Sequence, residues 1–353
     1  MPLPWAGAHL NSCGRAGQAP LCSLLELDGF RLLLDCGWSA RCEASVAETL
    51  ARVCPAIDAV LLSHGDIAHA GALPAAFARC GLRRGTPVVC TAPCSRGAQL
   101  ALYDLFACRS GDAPFTAFSL EEVDAAFAGA STLKYTETLT LPPPLRSRGG
   151  PVALTPYPAG RTLGGAIWRL AAGAESVVYA AGWCVRGERH TPAALLGAPQ
   201  LRRPSLLIMD AAGALALPPP PRAEREAAFC GACEVAVLRG GAALVPCEPS
   251  SRGLELLLAL DAHWAAKGRP LASIPIVFLS AVAHSAVEFA AAQLEWMPPS
   301  VATAFEADRV NPFTMRHVVP CASVEALQAR KRRVIPCTHP SHSQMCSPPP
   351  YRS

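Results

Sequence analysis

The chain has 353 residues, which is long enough for two domains or for one large α/β domain. Apolar residues make up 51% and charged residues 16% of it, which excludes an intrinsically disordered chain, and the net charge of +4 permits an acidic or RNA partner without requiring one. The 16 cysteines are scattered, no signal peptide is recognisable, and no apolar run approaches the ~20 residues of a membrane helix. We expect an intracellular protein with reduced thiols and no membrane contact.

The first half of the chain predicts paired strands with interleaved helices. Two apolar runs, 21–27 and 30–34, are joined by Asp28-Gly29, a dipeptide typical of a hairpin turn. A helix is predicted over 44–53 and a buried strand over 59–62. This order favours an αββα sandwich. Further strands are predicted at 87–91, 134–141, 152–157, 166–170 and 176–181, and helices at 99–106 and 115–127, the latter with Ser119 as its cap.

Three potential metal ligands follow the strand 59–62 directly. His64, Asp66 and His69 lie within six residues of one another, and Gly71 then lets the chain turn into a helix. A strand that ends in His and Asp at a sheet edge is typical of metallohydrolases, because imidazole and carboxylate ligands then converge on one ion. The stretch therefore predicts a metal centre or the remains of one.

The second half of the chain changes its pattern. A strand over 206–209 ends at Asp210, and a proline-rich break follows it. Strands and helices then alternate, which predicts a parallel sheet in a second module that begins near residue 205. From Lys331 the chain is rich in Pro, Ser and Cys and without periodicity, which indicates disorder. The helices are predicted at 224–238, 251–267 and 283–296, and the strands at 241–246 and 274–280.

Several segments, in order, carry a resemblance to a known family: FRLLLDCGW (30–38), IDAVLLSHGDIAHAGALP (57–74), LEEVDAAF (120–127), TPYPAGRTLGGAIW (155–168) and PSLLIMD (204–210). With them the chain resembles the metallo-β-lactamase/β-CASP group of nucleic-acid-processing proteins. The resemblance implies a metallo-β-lactamase αββα sandwich over 1–204 and a partial β-CASP α/β module over 205–330. The family's return to complete the first domain does not follow Lys331, so we expect a truncated chain with a disordered or misread tail over 331–353.

The resemblance also implies where metal ligands would lie. Active relatives cut RNA with two metal ions and carry His-x-His-x-Asp-His where this chain has His64, Asp66, Ala68 and His69. Ala68 supplies no ligand, so half of this first ligand set is compromised. Two further departures are Arg161, where active members place a His, and Gly182, where they place the metal-bridging Asp. A guanidinium cannot ligate a metal, and its charge repels one.

Three family positions are retained. His190 matches a residue that acts near the leaving group, Asp35 one that orients the histidine cluster, and Asp210 the first β-CASP motif. Simpler interpretations stay open: Asp35 as the cap of the turn at Cys36-Gly37, or the histidines as strand-end residues that bond to the backbone. In that second interpretation, Arg161 fills the vacated metal site and pairs with Asp66.

The resemblance thus implies a catalytically silent nuclear subunit of the pre-mRNA 3′-end cleavage and polyadenylation complex. It would hold no metal, do no chemistry and position pre-mRNA beside an active endonuclease paralogue and scaffold subunits. One alternative is a metal-dependent RNase with a reduced zinc site built from His64, Asp66 and His69, with or without His190. The other is a truncated product without an independent fold.

Overall fold

A computed structural model describes residues 10–12, 20–27, 29–111, 114–146, 149–210, 219–250, 252–329 and 335–338. Its first sheet has six strands that follow one another in chain order. The first three strands pair antiparallel, and from the third strand to the sixth each strand pairs parallel with the next. The pairing of Leu27 with Phe30 across the turn confirms the predicted hairpin. The strands are β1 (Leu10–Ser12), β2 (Ser23–Leu27), β3 (Phe30–Leu34), β4 (Ala59–Leu61), β5 (Val88–Cys90) and β6 (Ser131–Thr132).

The second sheet has five strands in the order β11-β10-β9-β8-β7. Its edge strand β11 runs parallel to β10, with Val177 opposite Leu206, and the other neighbours are antiparallel. The sequence pattern favoured this strand as the start of the second module, but its hydrogen bonds join it to the first, so the boundary falls after Met209 rather than before Leu206. The strands are β7 (Leu139–Leu141), β8 (Val152–Pro158), β9 (Ala166–Ala172), β10 (Glu175–Ala180) and β11 (Leu206–Met209).

The two sheets pack face to face. Alternate residues of β3, such as Leu32 and Leu34, lie against Trp168 and Val177 of the second sheet, and Trp168 donates its indole N–H to the Leu62 carbonyl at 3.0 Å. A 3₁₀ turn, Pro199–Leu201, covers part of the outer face of the second sheet. This layering confirms the predicted sandwich. The helices of this part are α1 (Ala44–Val53), α2 (Ile67–Ala70), α3 (Leu73–Ala78), α4 (Ala92–Ser110) and α5 (Leu120–Phe127).

Helix α5 begins at Leu120, directly after its predicted cap Ser119 and five residues later than the predicted start at residue 115. The Ser119 hydroxyl accepts the N–H of Glu122 at 3.2 Å, and the Glu122 carboxylate accepts the N–H of Ser119 at 2.9 Å, which completes a capping box. Its apolar face, with Val123 and Phe127, packs with α3 and α4 over the outer face of the first sheet. The helices on this face fix the strands of the first sheet. They do not cover the carboxyl ends of those strands, where polar side chains lie.

The second module contains the predicted parallel sheet. Its four strands lie in the order β12-β15-β13-β14, all parallel to their neighbours. Ile335–Thr338 lies in the segment predicted to be disordered or misread, yet it forms the strand β15 between two others, because its backbone completes their hydrogen bonds. The rest of 331–353 lies outside the described residues. The elements are β12 (Val245–Pro246), β13 (Ile276–Leu279), β14 (Val318–Cys321), β15 (Ile335–Thr338), α6 (Arg222–Leu238), α7 (Arg252–Lys267), α8 (Ala283–Ala291), α9 (Pro299–Asp308) and α10 (Val324–Gln328).

The two modules share a buried contact. Leu163 from the β8–β9 turn packs with Leu254 and Leu258 of α7 and with Trp296 and Phe313. Burial of this apolar surface stabilises the contact and brings the start of α7 to the carboxyl edge of the first module's strands. Across the described residues, no helix combines the length and apolar character needed to cross a membrane.

Candidate functional site

Asp35 directly follows β3 and is completely buried. Its Oδ1 accepts the N–H of Ser63 at 2.6 Å, and its Oδ2 accepts the hydroxyls of Ser63 at 2.7 Å and of Tyr179 at 2.5 Å. Burial raises the pKa of Asp35, although the charge of His69 and these hydrogen bonds oppose the rise. The Asp35 carboxylate therefore bonds to the residue that precedes His64 and not to the turn at Cys36-Gly37.

His64 lies three residues beyond β4 and is also completely buried. Its Nδ1 is 2.9 Å from the Ser63 hydroxyl oxygen. Because that hydroxyl donates its proton to the Asp35 carboxylate, His64 Nδ1–H donates to the hydroxyl, and Nε2 carries the lone pair. Burial, and then the charge of His69, lowers the pKa of His64 well below its ordinary value. The charge of Asp66 and the nearby backbone of Gly182 oppose this fall without reversing it, so the ring is neutral. No group in the described residues meets Nε2 with hydrogen-bond geometry.

Asp66 and His69 form a buried pair at the two ends of the short helix α2. Asp66 Oδ1 is 2.5 Å from His69 Nδ1, and the ring of His69 lies 4.7 Å from that of His64, centroid to centroid. Burial alone would raise the pKa of Asp66 and lower that of His69. Their mutual charge and hydrogen bond reverse both shifts, so the pKa of Asp66 is held far below and that of His69 above its ordinary value. The pair is an imidazolium and a carboxylate.

Ala68 lies within α2, where active members of the resembling family have Asp. Its carbonyl accepts the N–H of Leu21 at 2.8 Å. Gly37 approaches the same carbonyl so closely that a Cβ at this glycine would lie 1.7 Å from the oxygen. These backbone contacts fix α2, and with it the Asp66–His69 pair, against the segment that follows β3. The Ala68 methyl group itself supplies no ligand.

Arg161, in the turn between β8 and β9, lies above Gly182. A Cβ at Gly182 would be 2.9 Å from Arg161 Nη1 and 3.2 Å from His64 Cε1, and Gly182 has a positive φ of 54°. The guanidinium therefore fills the space that an Asp side chain at position 182 would occupy. The ion pair expected between Arg161 and Asp66 is not formed: in the described part of the chain Asp66 pairs with His69, and Arg161 acts on both from a longer distance.

An acidic residue outside the predicted site, Glu248, belongs to the same centre. It lies two residues beyond β12, in the second module, where burial and then the charge of Asp66 raise its pKa to about 7, while Arg161 and His69 oppose the rise. Its position just beyond a predicted strand is a signal that it shares with Asp35 and His64. No local sequence pattern predicts that this strand lies at this edge, because the contact between the two modules joins segments that are far apart in the sequence.

His190 lies in a charged network between the modules. Its Nδ1 donates to Glu255 at 2.8 Å, so Glu255 of α7 holds the loop before His190 in place. Arg189 donates to both Glu255 and Glu226, at 2.9 and 2.7 Å, and Arg222 bonds to the same two carboxylates. His190 Nε2 is buried without a hydrogen-bond partner among the described residues. This network fixes the position of His190 from the side of the second module.

Asp210 follows β11 directly and lies at the same edge of the second sheet as Gly182. Its N–H donates to the carbonyl of Ala180, the last residue of β10, at 3.3 Å. The structure therefore brings most of the predicted site residues to one edge of the two sheets, and it holds His190 there through α7. The arrangement is a buried set of charges around His64, with Arg161 as its permanent cation.

The fold and this centre agree with a family assignment from sequence. A family model described as "Metallo-beta-lactamase superfamily domain" matches residues 24–208, more than half of the chain. The chain belongs to the metallo-β-lactamase superfamily. The match ends inside β11, which agrees with the hydrogen bonding of that strand to the second sheet of the superfamily domain.

Curated relatives match a larger part of the chain. "Cleavage and polyadenylation specificity factor subunit 2" of Arabidopsis thaliana is 39% identical over 306 residues, 87% of this chain and 40% of that protein. The protein of the same name from Oryza sativa subsp. japonica is 39% identical over 315 residues, 89% of this chain and 41% of its own. "Endoribonuclease YSH1" of Mycosarcoma maydis is 26% identical over 275 residues, 78% of this chain and 30% of that protein. The chain thus spans about two fifths of the first two relatives.

Among solved structures, a "Protein of Unknown Function from Enterococcus faecalis V583" aligns with 93% of this chain and 76% of its own, at 12% identity and a TM-score of 0.45. A "B3 Metallo-beta-Lactamase with an Active Site Glutamic Acid" aligns with 57% of this chain and 70% of its own, at 18% identity and a TM-score of 0.33. Likenesses this weak carry no information about function.

The residues of this metallo-β-lactamase domain do not fit the paired-metal site that the resemblance implies. Three buried atoms, His64 Nε2, Asp66 Oδ2 and His69 Nε2, lack hydrogen-bond partners in the described ranges, as the remains of a ligand set would. Those ranges nevertheless contain no group of three His, Cys, Asp or Glu side chains arranged to hold a metal. The guanidinium of Arg161 supplies a positive charge where a metal would need ligands.

Proposed function

We propose that this chain is a non-catalytic subunit of the nuclear machinery that cleaves and polyadenylates pre-mRNA. The names of the relatives support the process, since two proteins called cleavage and polyadenylation specificity factor subunit 2 share 39% identity with it. One observation carries the non-catalytic part of the proposal: the guanidinium of Arg161 lies over Gly182 and beside His64. A cation that belongs to the protein stands in the centre where active relatives carry metal.

The physical reason is one of charge and donor type. Hydrolysis in this superfamily requires a metal that polarises the phosphate and lowers the pKa of a bound water. Arg161 has no lone pair to offer a metal, and its charge repels one. Without a metal no hydroxide is generated, so the centre stabilises the fold but does not activate water.

In this proposal the chain acts through its surface. It lies beside an active endonuclease paralogue and scaffold subunits of the complex, and it positions pre-mRNA for that paralogue. The mild net charge of +4 is compatible with contact to RNA. The second module widens the surface around the inactive centre, because α7 and the loop after β12 both reach it.

The test is the zinc content of the purified chain, measured by elemental mass spectrometry on material shown to be folded by circular dichroism. We expect near-zero zinc in the wild type and no RNA cleavage by it. A matched variant carries Asp66→His, Ala68→Asp, Arg161→His and Gly182→Asp together, which restores the family's ligand types. About one or two tightly bound zinc ions per wild-type chain, or cleavage of RNA by it, would contradict the proposal.

A second candidate function is a metal-dependent RNase with a reduced zinc site. The observation that favours it is that His64, Asp66, His69 and His190 are among the described residues with a buried nitrogen or oxygen atom that lacks a hydrogen-bond partner. It predicts RNA cleavage that a chelator abolishes and that His64→Ala also abolishes. Cleavage that survives His64→Ala would show a contaminating nuclease instead.

A further inference from the structure

A cavity of about 430 Å³ lies between the two modules, apart from the centre around His64. One wall is the loop that contains Cys184 and Glu188 in the first module, and the others are helices α6 and α7 of the second. The centre at Arg161 and Gly182 contributes no residue to its lining. Four arginines and three glutamates line it, so its charge depends on how these groups are paired.

All three glutamates are already paired with arginines. Glu255 has a side chain only 4% exposed and binds Arg189, Arg222 and His190. Glu226 binds Arg189 and Arg222. The carboxylates of this network are therefore neutralised by guanidinium groups of both modules.

The rim of the cavity is positive. Glu188, the third lining glutamate, is 11% exposed and pairs with Arg252, whose side chain is 54% exposed. Arg186 and Arg225 are exposed at the same cavity, and neither has an ion pair with a carboxylate among the described residues. Arg225 uses its Nε–H to donate to the carbonyl of Pro220, which holds the guanidinium while its other N–H groups remain available.

The floor of the cavity is apolar. Phe229, Leu256 and Ala259 line it, and Phe229 is only partly buried. A ligand that suits both parts carries an aromatic ring for the floor and a phosphate for the rim, because rings stack on aromatic side chains and guanidinium groups bind phosphate oxygens. The volume is large enough for one nucleotide.

We propose that this cavity binds one nucleotide of a single-stranded RNA, with its phosphate on Arg186 and Arg225 and its base against Phe229. The inference rests on the RNA-positioning part of the proposed function and gives that part a place on the molecule. The cavity would recognise the phosphate and the ring of its ligand. A free mononucleotide carries both groups as well, so the experiment must distinguish it from RNA.

The experiment measures binding of a short fluorescein-labelled single-stranded RNA by fluorescence anisotropy at several salt concentrations. It compares the wild type with a variant carrying Arg186→Gln and Arg225→Gln. The control carries Arg52→Gln and Arg84→Gln, which removes the same charge from two exposed arginines of the first module. Circular dichroism checks that each protein is folded, and isothermal titration with adenosine monophosphate and with inorganic phosphate tests the free ligands.

We expect the cavity variant to bind RNA about tenfold more weakly, and the slope of log K against log salt to fall by about 0.7 for each phosphate that the variant no longer neutralises. The control should keep both the affinity and the slope. Equal reductions of affinity in the two variants, or no reduction in either, would overturn the cavity proposal while leaving RNA binding elsewhere intact. Equal binding of adenosine monophosphate and inorganic phosphate would show an anion site only and would also overturn it.

Failure of the wild type to bind RNA would contradict the RNA-positioning proposal and the cavity proposal together, whereas RNA binding that the cavity variant fully retains would overturn the cavity proposal alone. Adenosine monophosphate binding without RNA binding would show a mononucleotide site and would also overturn the proposal.

Discussion

Replacement of Glu255 by Gln tests the network that joins the two modules. The Glu255 carboxylate accepts from Arg189 Nη1 at 2.9 Å, from the Arg189 backbone N–H at 3.2 Å, from His190 Nδ1 at 2.8 Å and from Arg222. A glutamine has the same shape, but its NH₂ group faces donors, and it carries no charge. The substitution therefore leaves two guanidinium groups and one imidazole short of their shared acceptor.

The expected cost follows from burial. Removal of one partner from a buried ion pair costs about 3–5 kcal/mol, because the remaining charge stays away from water. Here Arg189 and Arg222 have side chains that are 36% and 29% exposed, and both keep Glu226, so their charges are partly solvated after the change. We expect a loss of about 2–3 kcal/mol in the free energy of unfolding.

Urea unfolding followed by circular dichroism measures this loss, with Glu188→Gln as the matched control. Glu188 lines the same cavity but pairs with an exposed Arg252, so its replacement should cost less than about 1 kcal/mol. Burial raises the pKa of Glu255, but the hydrogen bonds and charges of His190 and Arg189 outweigh it, so the pKa of Glu255 is lowered. The difference between wild type and Glu255→Gln is therefore fully present above the unfolded pKa of about 4.3 and disappears as the pH falls through the lower folded pKa. Equal costs for the two variants would refute the network's role.

Three further outcomes concern the buried centre. Arg161→Ala should lower stability by up to about 1 kcal/mol in urea unfolding, because Asp66 loses a nearby permanent cation, and a more stable variant would contradict this. Ser63→Ala should cost about 1–3 kcal/mol, since buried Asp35 loses a donor, and a neutral effect would show that the carboxylate is protonated. Nitrogen NMR should show the His64 ring neutral with Nε2 unprotonated, and a titration midpoint near the ordinary value of about 6.5 would rule that out.

The local elements of the fold could be predicted from the sequence. The hairpin between β2 and β3, the helix α1 and the capping box at Ser119 each depend on residues within a few positions of one another. The histidine cluster could also be located, because a strand followed by His64 and Asp66 is a local pattern. The placement of Arg161 at the same centre was implied by the resemblance. That Arg161 acts on Asp66 from a longer distance, without an ion pair, could be seen only in the structure.

The features that were missed depend on contacts between distant segments. Glu248 reaches the centre only because the second module docks on the first. The strand β15 lies in a stretch without periodicity, and it is ordered by hydrogen bonds to β12 and β13 on either side. β11 reads as the first strand of a new module, since no sequence signal tells which neighbour its backbone will choose.

The position of Arg161 has a consequence for how this protein matures. A metal centre is complete only after the ion has been acquired from the cell, so the folding of a metal-dependent domain follows the supply of that ion. In the non-catalytic role that we propose, a positive charge of the centre is instead part of the chain itself, as residue 161. Under that proposal folding does not depend on the supply of zinc, and cells starved of zinc should accumulate this protein as readily as cells that are replete.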